Sequence, residues 1–130
     1  MIDLLYNHSS DVYSANGEDG INEYILKHLK LDSGVVLEIG AWDGFFDSNC
    51  ANLWSNGSYN GILIEATSKL NIADLESRYD NINCYRELIS SSNTLEDGID
   101  KCKFDVDEDN FVLASIDVDG DDLNVARSLG

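Results

Sequence analysis

Three short β-prone runs set the strongest limit on how this chain can fold: Val35-Val36-Leu37-Glu38-Ile39, Gly61-Ile62-Leu63-Ile64-Glu65 and Phe111-Val112-Leu113-Ala114-Ser115-Ile116-Asp117. A strand with one wet face alternates apolar and polar residues, whereas runs as continuous as these are buried on both faces, as in a parallel sheet. A parallel sheet needs crossover connections, and the stretches between the runs are long enough to hold helices.

The intervening segments supply helical patterns. Ser14 to Gly20 reads as a polar loop, with Asp19 available as N-cap for a first helix whose Ile21, Tyr24, Ile25 and Leu29 fall at helical spacing. Gly34 then breaks the chain before the first strand. A short helix carrying Cys50, Leu53 and Trp54 follows, with Asp47 or Ser48 as cap and Gly57 at its end. Thr67 to Tyr79 reads as the next helix, Ile82 to Leu88 as a weaker third strand, Thr94 to Lys101 as a helix, and Leu123 to Leu129 as the last. The order α-β-α-β-α-β-α-β-α predicts one α/β domain over 1–130, a Rossmann-like three-layer sandwich with a mainly parallel sheet and helices on both faces.

Composition narrows the class of partner. A formal net charge of −17, with only eight Lys and Arg, disfavours nucleic acid and anionic membranes, both of which demand clustered cations. The start of the chain lacks a basic, long-apolar leader, and no stretch approaches the roughly 20 apolar residues of a membrane span. Cys50, Cys84 and Cys102 form no CxxC pair, and an odd set of thiols fits a reducing, cytoplasmic setting.

In an open parallel sheet, ligands sit beyond the carboxyl ends of the strands at the switch point. There this sequence places Glu38-Ile39-Gly40-Ala41-Trp42-Asp43-Gly44, where Gly40 and Gly44 permit a sharp turn against a ligand. The loop departs from GxGxxG. Its carboxylates oppose a pyrophosphate, which disfavours an NAD-dependent oxidoreductase, and favour a cation such as S-adenosylmethionine with its ammonium and sulfonium. Glu65 ends the second strand near the spacing at which nucleoside-binding folds place an acid on the ribose hydroxyls.

The fourth strand leads into Asp117-Val118-Asp119-Gly120-Asp121-Asp122, for which three roles are open. Asp117 could act as a general base, with Asp119 beside it; Asp117, Asp119 and Asp121 could hold Mg²⁺ or Ca²⁺; or the acids serve a helix N-terminus. Asp105 to Asn110 opens like an EF-hand loop, but Ile116 stands where a bidentate Glu is required. His8 and His28 read as solvated, and Trp42, Trp54 and Tyr59 either line a pocket or, the favoured reading, pack in the core or at its rim.

Four segments together resemble the FkbM-like branch of S-adenosylmethionine-dependent methyltransferases: Ser14 to Ile21, Glu38 to Gly44 with Ser48-Asn49, Gly61 to Glu65, and Ser115 to Asp122. The resemblance implies a class I methyltransferase fold, with Glu38, Gly40, Ala41, Asp43, Gly44 and Asn49 around the methionine part, Glu65 and Ala66 at the nucleoside, and Asp117 near the acceptor. It implies O-methylation of a sugar or another hydroxylated small molecule. Strands five to seven of such a fold have no counterpart here, so the expectation is an incomplete domain whose fourth strand is a free edge open to homodimerisation. A non-catalytic nucleoside-binding or oligomerisation module is the alternative.

Overall fold

The computed structural model describes residues 5–90, 93, 102–118, 120 and 122–129. The expected helix over 94–101, and Asp119 and Asp121, lie outside the described residues. In chain order the elements are α1 (Glu18–His28), β1 (Gly34–Ile39), α2 (Ala51–Trp54), β2 (Tyr59–Ile64), α3 (Ile72–Arg78), β3 (Ile82–Tyr85), β4 (Phe111–Ile116) and α4 (Asp122–Ser128).

The strands form one four-stranded, all-parallel sheet in the order β3-β2-β1-β4. This is the Rossmann-like arrangement expected from the three unbroken runs. β1 and β2 are each buried along nearly their whole length, and their side chains alternate between two cores. Val36 and Leu63 join Leu26 of α1, Leu53 and Trp54 of α2 and Leu75 of α3 on one face. Val35, Leu37, Ile39, Ile62 and Ile64 join Val125 of α4 and Ile89 on the other. Each such apolar side chain, fully buried, contributes about 1.5–3 kcal/mol before entropy is counted. Gly61 is required by the first core: a Cβ there would lie 3.0 Å from the Trp54 ring.

The side on which strands are added to the sheet reverses at β1. β2 and β3 build outward on one side, while β4 returns to pair on the other, with its register shifted between Val35 and Val36. The switch point therefore lies between the carboxyl ends of β1 and β4. All six β4 residues are half-buried, as expected for an edge strand in this sheet.

Several boundaries differ from the sequence expectation. α1 is capped by Gly17 in a left-handed conformation; Asp19 lies inside the first turn, where its Oδ2 accepts the amides of Val12, Tyr13 and Ser14. Leu26 is the apolar residue that α1 buries, whereas Ile25 and Leu29 are exposed. α3 begins at Ile72, not Thr67, since the Asn71 side chain accepts the Asp74 amide as its cap. β3 stops at Tyr85, and Leu88 is exposed. The cap of α2 is Cys50, although Ser48 Oγ does accept the Ala51 amide at 2.9 Å. No helix among the described residues is long and apolar enough to cross a membrane.

Trp54 is fully buried against Phe45 and Tyr79, and its Nε1 has no hydrogen-bond partner among the described residues. Trp54→Ala is expected to cost about 3–5 kcal/mol in urea denaturation. Trp54→Phe, which sacrifices no hydrogen bond, should cost under about 1.5 kcal/mol. Equal losses in the two variants would show that the first core is not organised around this ring.

Candidate functional site: a carboxylate-lined cleft at the strand tips

The tip of β1 is fastened to both neighbours. Gly40 and Ala41 donate their amides to the Ile64 carbonyl of β2, while Ile39 accepts the amide of Asp117 at 2.9 Å. Gly40 takes φ +83°, and a Cβ at that position would lie 1.9 Å from the Asp117 carbonyl oxygen. Only glycine permits that approach, so the two strand tips meet without a side chain between them. A cleft of about 280 Å³ opens beside this contact, with walls that include Glu38 and Gly40 of the β1 tip, Glu65 just past β2, and Ser115 and Asp117 of the β4 tip. Trp42, Phe46, Asp47 and Asn49 of the loop after β1 complete it.

Glu38 is the most constrained of the acids. It is only 5% exposed, its Oε2 accepts the Ser48 hydroxyl at 2.5 Å, and its Oε1 accepts the Asn49 amide at 3.0 Å. Burial pushes its carboxyl up to about 7; the Ser48 and Asn49 hydrogen bonds oppose that shift, and the charges of Asp19 and Asp117 add to it. Asn49 in turn donates its side-chain amide to Ser115 Oγ, which ties the loop to β4 across the cleft floor.

Glu65 is 7% exposed, and each carboxylate oxygen accepts one backbone amide, Trp42 at 2.7 Å and Thr67 at 3.0 Å. A carboxylate has about four lone-pair sites, so Glu65 anchors two loops and keeps acceptor capacity toward the cleft. Asp117 is exposed at the mouth, and beyond it the Val118 amide donates to Asp122 at the start of α4. Trp42 and Asp47 both adopt positive φ, 53° and 51°, a costly conformation for non-glycine residues that concentrates at functional loops.

Of the residues singled out in the sequence, Glu38, Gly40, Asn49, Glu65 and Asp117 meet at the cleft. Ala41, Asp43, Gly44 and Ala66 do not line it. Asp43 is exposed, and its Oδ1 closes a turn by accepting the Phe45 and Phe46 amides. Gly44 is buried against Leu63, Leu70 and Leu75, inside the first core. Ala41 is buried and Ala66 exposed. Asp119 and Asp121 fall outside the described residues, and among those described no three His, Cys, Asp or Glu side chains gather as a metal site.

Phe46, Asp47 and Ser115 join the cleft without having been assigned to it from sequence, and Trp42, for which a pocket lining and a core or rim place were both open, lines it. Ser115 was the most accessible to reasoning, because it stands two residues before Asp117 and so shares its face of the strand. The cysteines have no role in the cleft: all three are free, and burial, followed by the charges of Glu38 and Asp19, holds the Cys50 thiol well above its usual range. Comparison with protein-family models, with curated proteins and with solved structures returned no match.

The raised Glu38 carboxyl sets a pH dependence. Its folded value of about 7 exceeds the ordinary 4.5, so the folded state binds the extra proton. The corresponding stability is fully present below about pH 4.5 and is lost as pH climbs through 7. A shift of this size corresponds to about 3 kcal/mol. Because the chain's overall negative charge also destabilises it at high pH, the comparison that isolates Glu38 is with Glu38→Gln. The variant should lose much less stability than wild type in urea titrations between pH 5 and 8. Parallel pH profiles for the two proteins would contradict a neutral Glu38.

Proposed function

We propose that the strand-tip cleft binds S-adenosylmethionine and that the chain acts as an S-adenosylmethionine-dependent methyltransferase on a hydroxyl of a sugar or another hydroxylated small molecule. One observation carries the reading: the cleft walls contain four carboxylates, Glu38, Asp47, Glu65 and Asp117, and no Lys, Arg or His. Such a wall repels phosphates and favours a ligand with cationic centres. It weighs equally against a dinucleotide, whose pyrophosphate needs free amides without adjacent anions.

The residues present suit the group. Gly40 carries no Cβ to separate the β1 and β4 tips, and Glu65 retains lone pairs for vicinal ribose hydroxyls. When bound, S-adenosylmethionine supplies an electrophilic methyl on a sulfonium. Glu38 and Asn49 would hold the amino-acid end, where an ammonium beside Glu38 would favour its ionised form, the proton passing to solvent. Asp117, at the mouth, orients the acceptor hydroxyl and accepts its proton, with Asp119 beside it in sequence. Alternatively, Asp117, Asp119 and Asp121 would hold a Mg²⁺ or other divalent cation, which would supply the acidification of that hydroxyl.

At about 280 Å³ the cleft sits at the small end of the roughly 300–1,000 Å³ range of small-molecule sites. The exposed rings of Trp42 and Phe46 extend its wall and supply an apolar face for an adenine or a sugar. The free edge of β4 suits pairing with a second copy, and the free thiols suit a cytoplasmic setting.

Calorimetry with S-adenosylhomocysteine tests the binding half. Saturable heat is expected, with affinity weakened about 10–100-fold in Glu65→Gln and changed less than about threefold in Asp43→Ala, whose carboxylate faces its own turn. Absence of heat at millimolar ligand, or wild-type affinity in Glu65→Gln, would sink the reading. If binding holds, Asp117→Asn separates the enzyme from a non-catalytic binding module: methyl transfer should fall about 10²–10⁴-fold with binding retained, and EDTA sensitivity would assign part of that role to a metal.

A further inference from the structure

A second concavity, sharing no residue with the strand-tip cleft, runs along the outer side of α1. Its volume of about 690 Å³ is more than twice that of the cleft, and its walls hold His8, Lys27, His28 and Lys30 around Tyr24. The chain has eight Lys and Arg and two His against 25 acids, so four of its ten basic side chains converge on one groove. In a random arrangement the acids would outnumber them locally; here Glu23 is the one carboxylate in the wall, and its Oε1 is engaged by the Asn52 amide at 2.5 Å.

Three features shape the groove, whose four basic side chains are all exposed. First, neither Lys27 nor Lys30 has a carboxylate within 4.0 Å among the described residues, where the ion pair is Arg78 with Asp74. Second, the segment before α1 is folded back so that His8 stacks on Tyr24 at 3.7 Å between ring centroids. Gly20 makes room for this, since a Cβ there would meet the His8 carbonyl oxygen at 2.0 Å. Tyr24 also stacks with His28 at 6.1 Å. Third, α1 ends in a Schellman motif, with the Leu31 amide on the Leu26 carbonyl and the Lys30 amide on the Lys27 carbonyl. Lys30 occupies the left-handed position of that motif at φ 59°, where glycine or asparagine is favoured. Cations near a helix C-terminus complement its dipole, which accounts for Lys27 and His28. It accounts neither for a lysine held in the strained position nor for a histidine brought in from another segment.

We propose that this groove binds a phosphate-bearing small molecule, with Lys27 and Lys30 on the phosphate and the His8–Tyr24–His28 stack forming the wall beside it. The same wall could not arise from the chain's average electrostatics, which repel anions. The proposal is independent of what the strand-tip cleft binds.

The probe is inorganic pyrophosphate, added at low ionic strength while proton–nitrogen correlation spectra are recorded. Saturable shifts confined to the amides of His8 to Ser10 and Tyr24 to Leu31 are expected, weakening with added salt. Lys27→Gln with Lys30→Gln should reduce affinity about tenfold or more. Lys30→Gly guards against misfolding as the explanation, because relief of the left-handed strain should raise the melting temperature by about 2–4 °C while binding weakens. Non-saturable shifts, shifts distributed equally over Lys69, Arg78 and Lys103, or wild-type affinity in the double variant would each overturn the proposal.

Discussion

The architecture hangs on the close approach of two backbones, Gly40 at the tip of β1 and Asp117 at the tip of β4. The Asp117 amide reaches the Ile39 carbonyl, and the Asp117 carbonyl sits where any side chain at position 40 would have to go. Through the Gly40 and Ala41 amides on Ile64, the same turn is fastened to β2. Three strand ends are thus held together. The carboxylates of Glu38, Glu65 and Asp117 follow from that backbone geometry, since each stands at or just beyond a strand end. A larger residue at position 40 would splay β4 from β1 and open the cleft floor, regardless of what the acids themselves do.

Placing so many acids near one another has an electrostatic cost, and the structure meets it with local donors instead of counter-charges. Asp19, 1% exposed, holds three backbone amides on one oxygen while the other has no hydrogen-bond partner among the described residues. Glu38 takes a hydroxyl and an amide, Glu65 two amides. Amide donors stabilise a carboxylate without neutralising it, so net negative potential survives at the cleft. The balance fails first at Glu38, where desolvation exceeds its hydrogen bonds and the neighbouring acids push the same way. A cation arriving beside Glu38 would reverse that balance.

The fold was legible because its signal is repeated. Near-continuous apolar runs such as Val35 to Ile39, interrupted only by Glu38, leave few places for a strand other than the centre of a parallel sheet, and the two-residue alternation then divides Val36 from Val35 and Leu37 between two cores. The acids at strand ends were legible for the same reason: once the strand is placed, its last residue has an address. Loop residues carried no such address. Asp43 and Asp47 look alike in sequence, yet one closes its own turn and the other, at φ 51°, lines the cleft. Periodicity cannot report a left-handed residue. Nor can it report the start of α1, because Gly17 caps the helix by backbone conformation and not by a side chain that would mark it.

The molecule also separates two electrostatic environments that its overall charge would merge. Charges more than about 8 Å apart are largely screened at physiological ionic strength, so a formal −17 does not fix the local potential where a few like charges cluster. The strand-tip cleft adds acids to an acidic background and needs only geometry to become selective for cations. The groove along α1 must work against that background, which requires clustering: basic side chains from two segments, one of them at a helix position that disfavours lysine, gathered around a stacked Tyr24. Dispersed over the surface, the same residues would do nothing but lower the net charge. Their concentration on one face, free of ion pairs with described carboxylates at Lys27 and Lys30, is the feature that composition alone could not have disclosed.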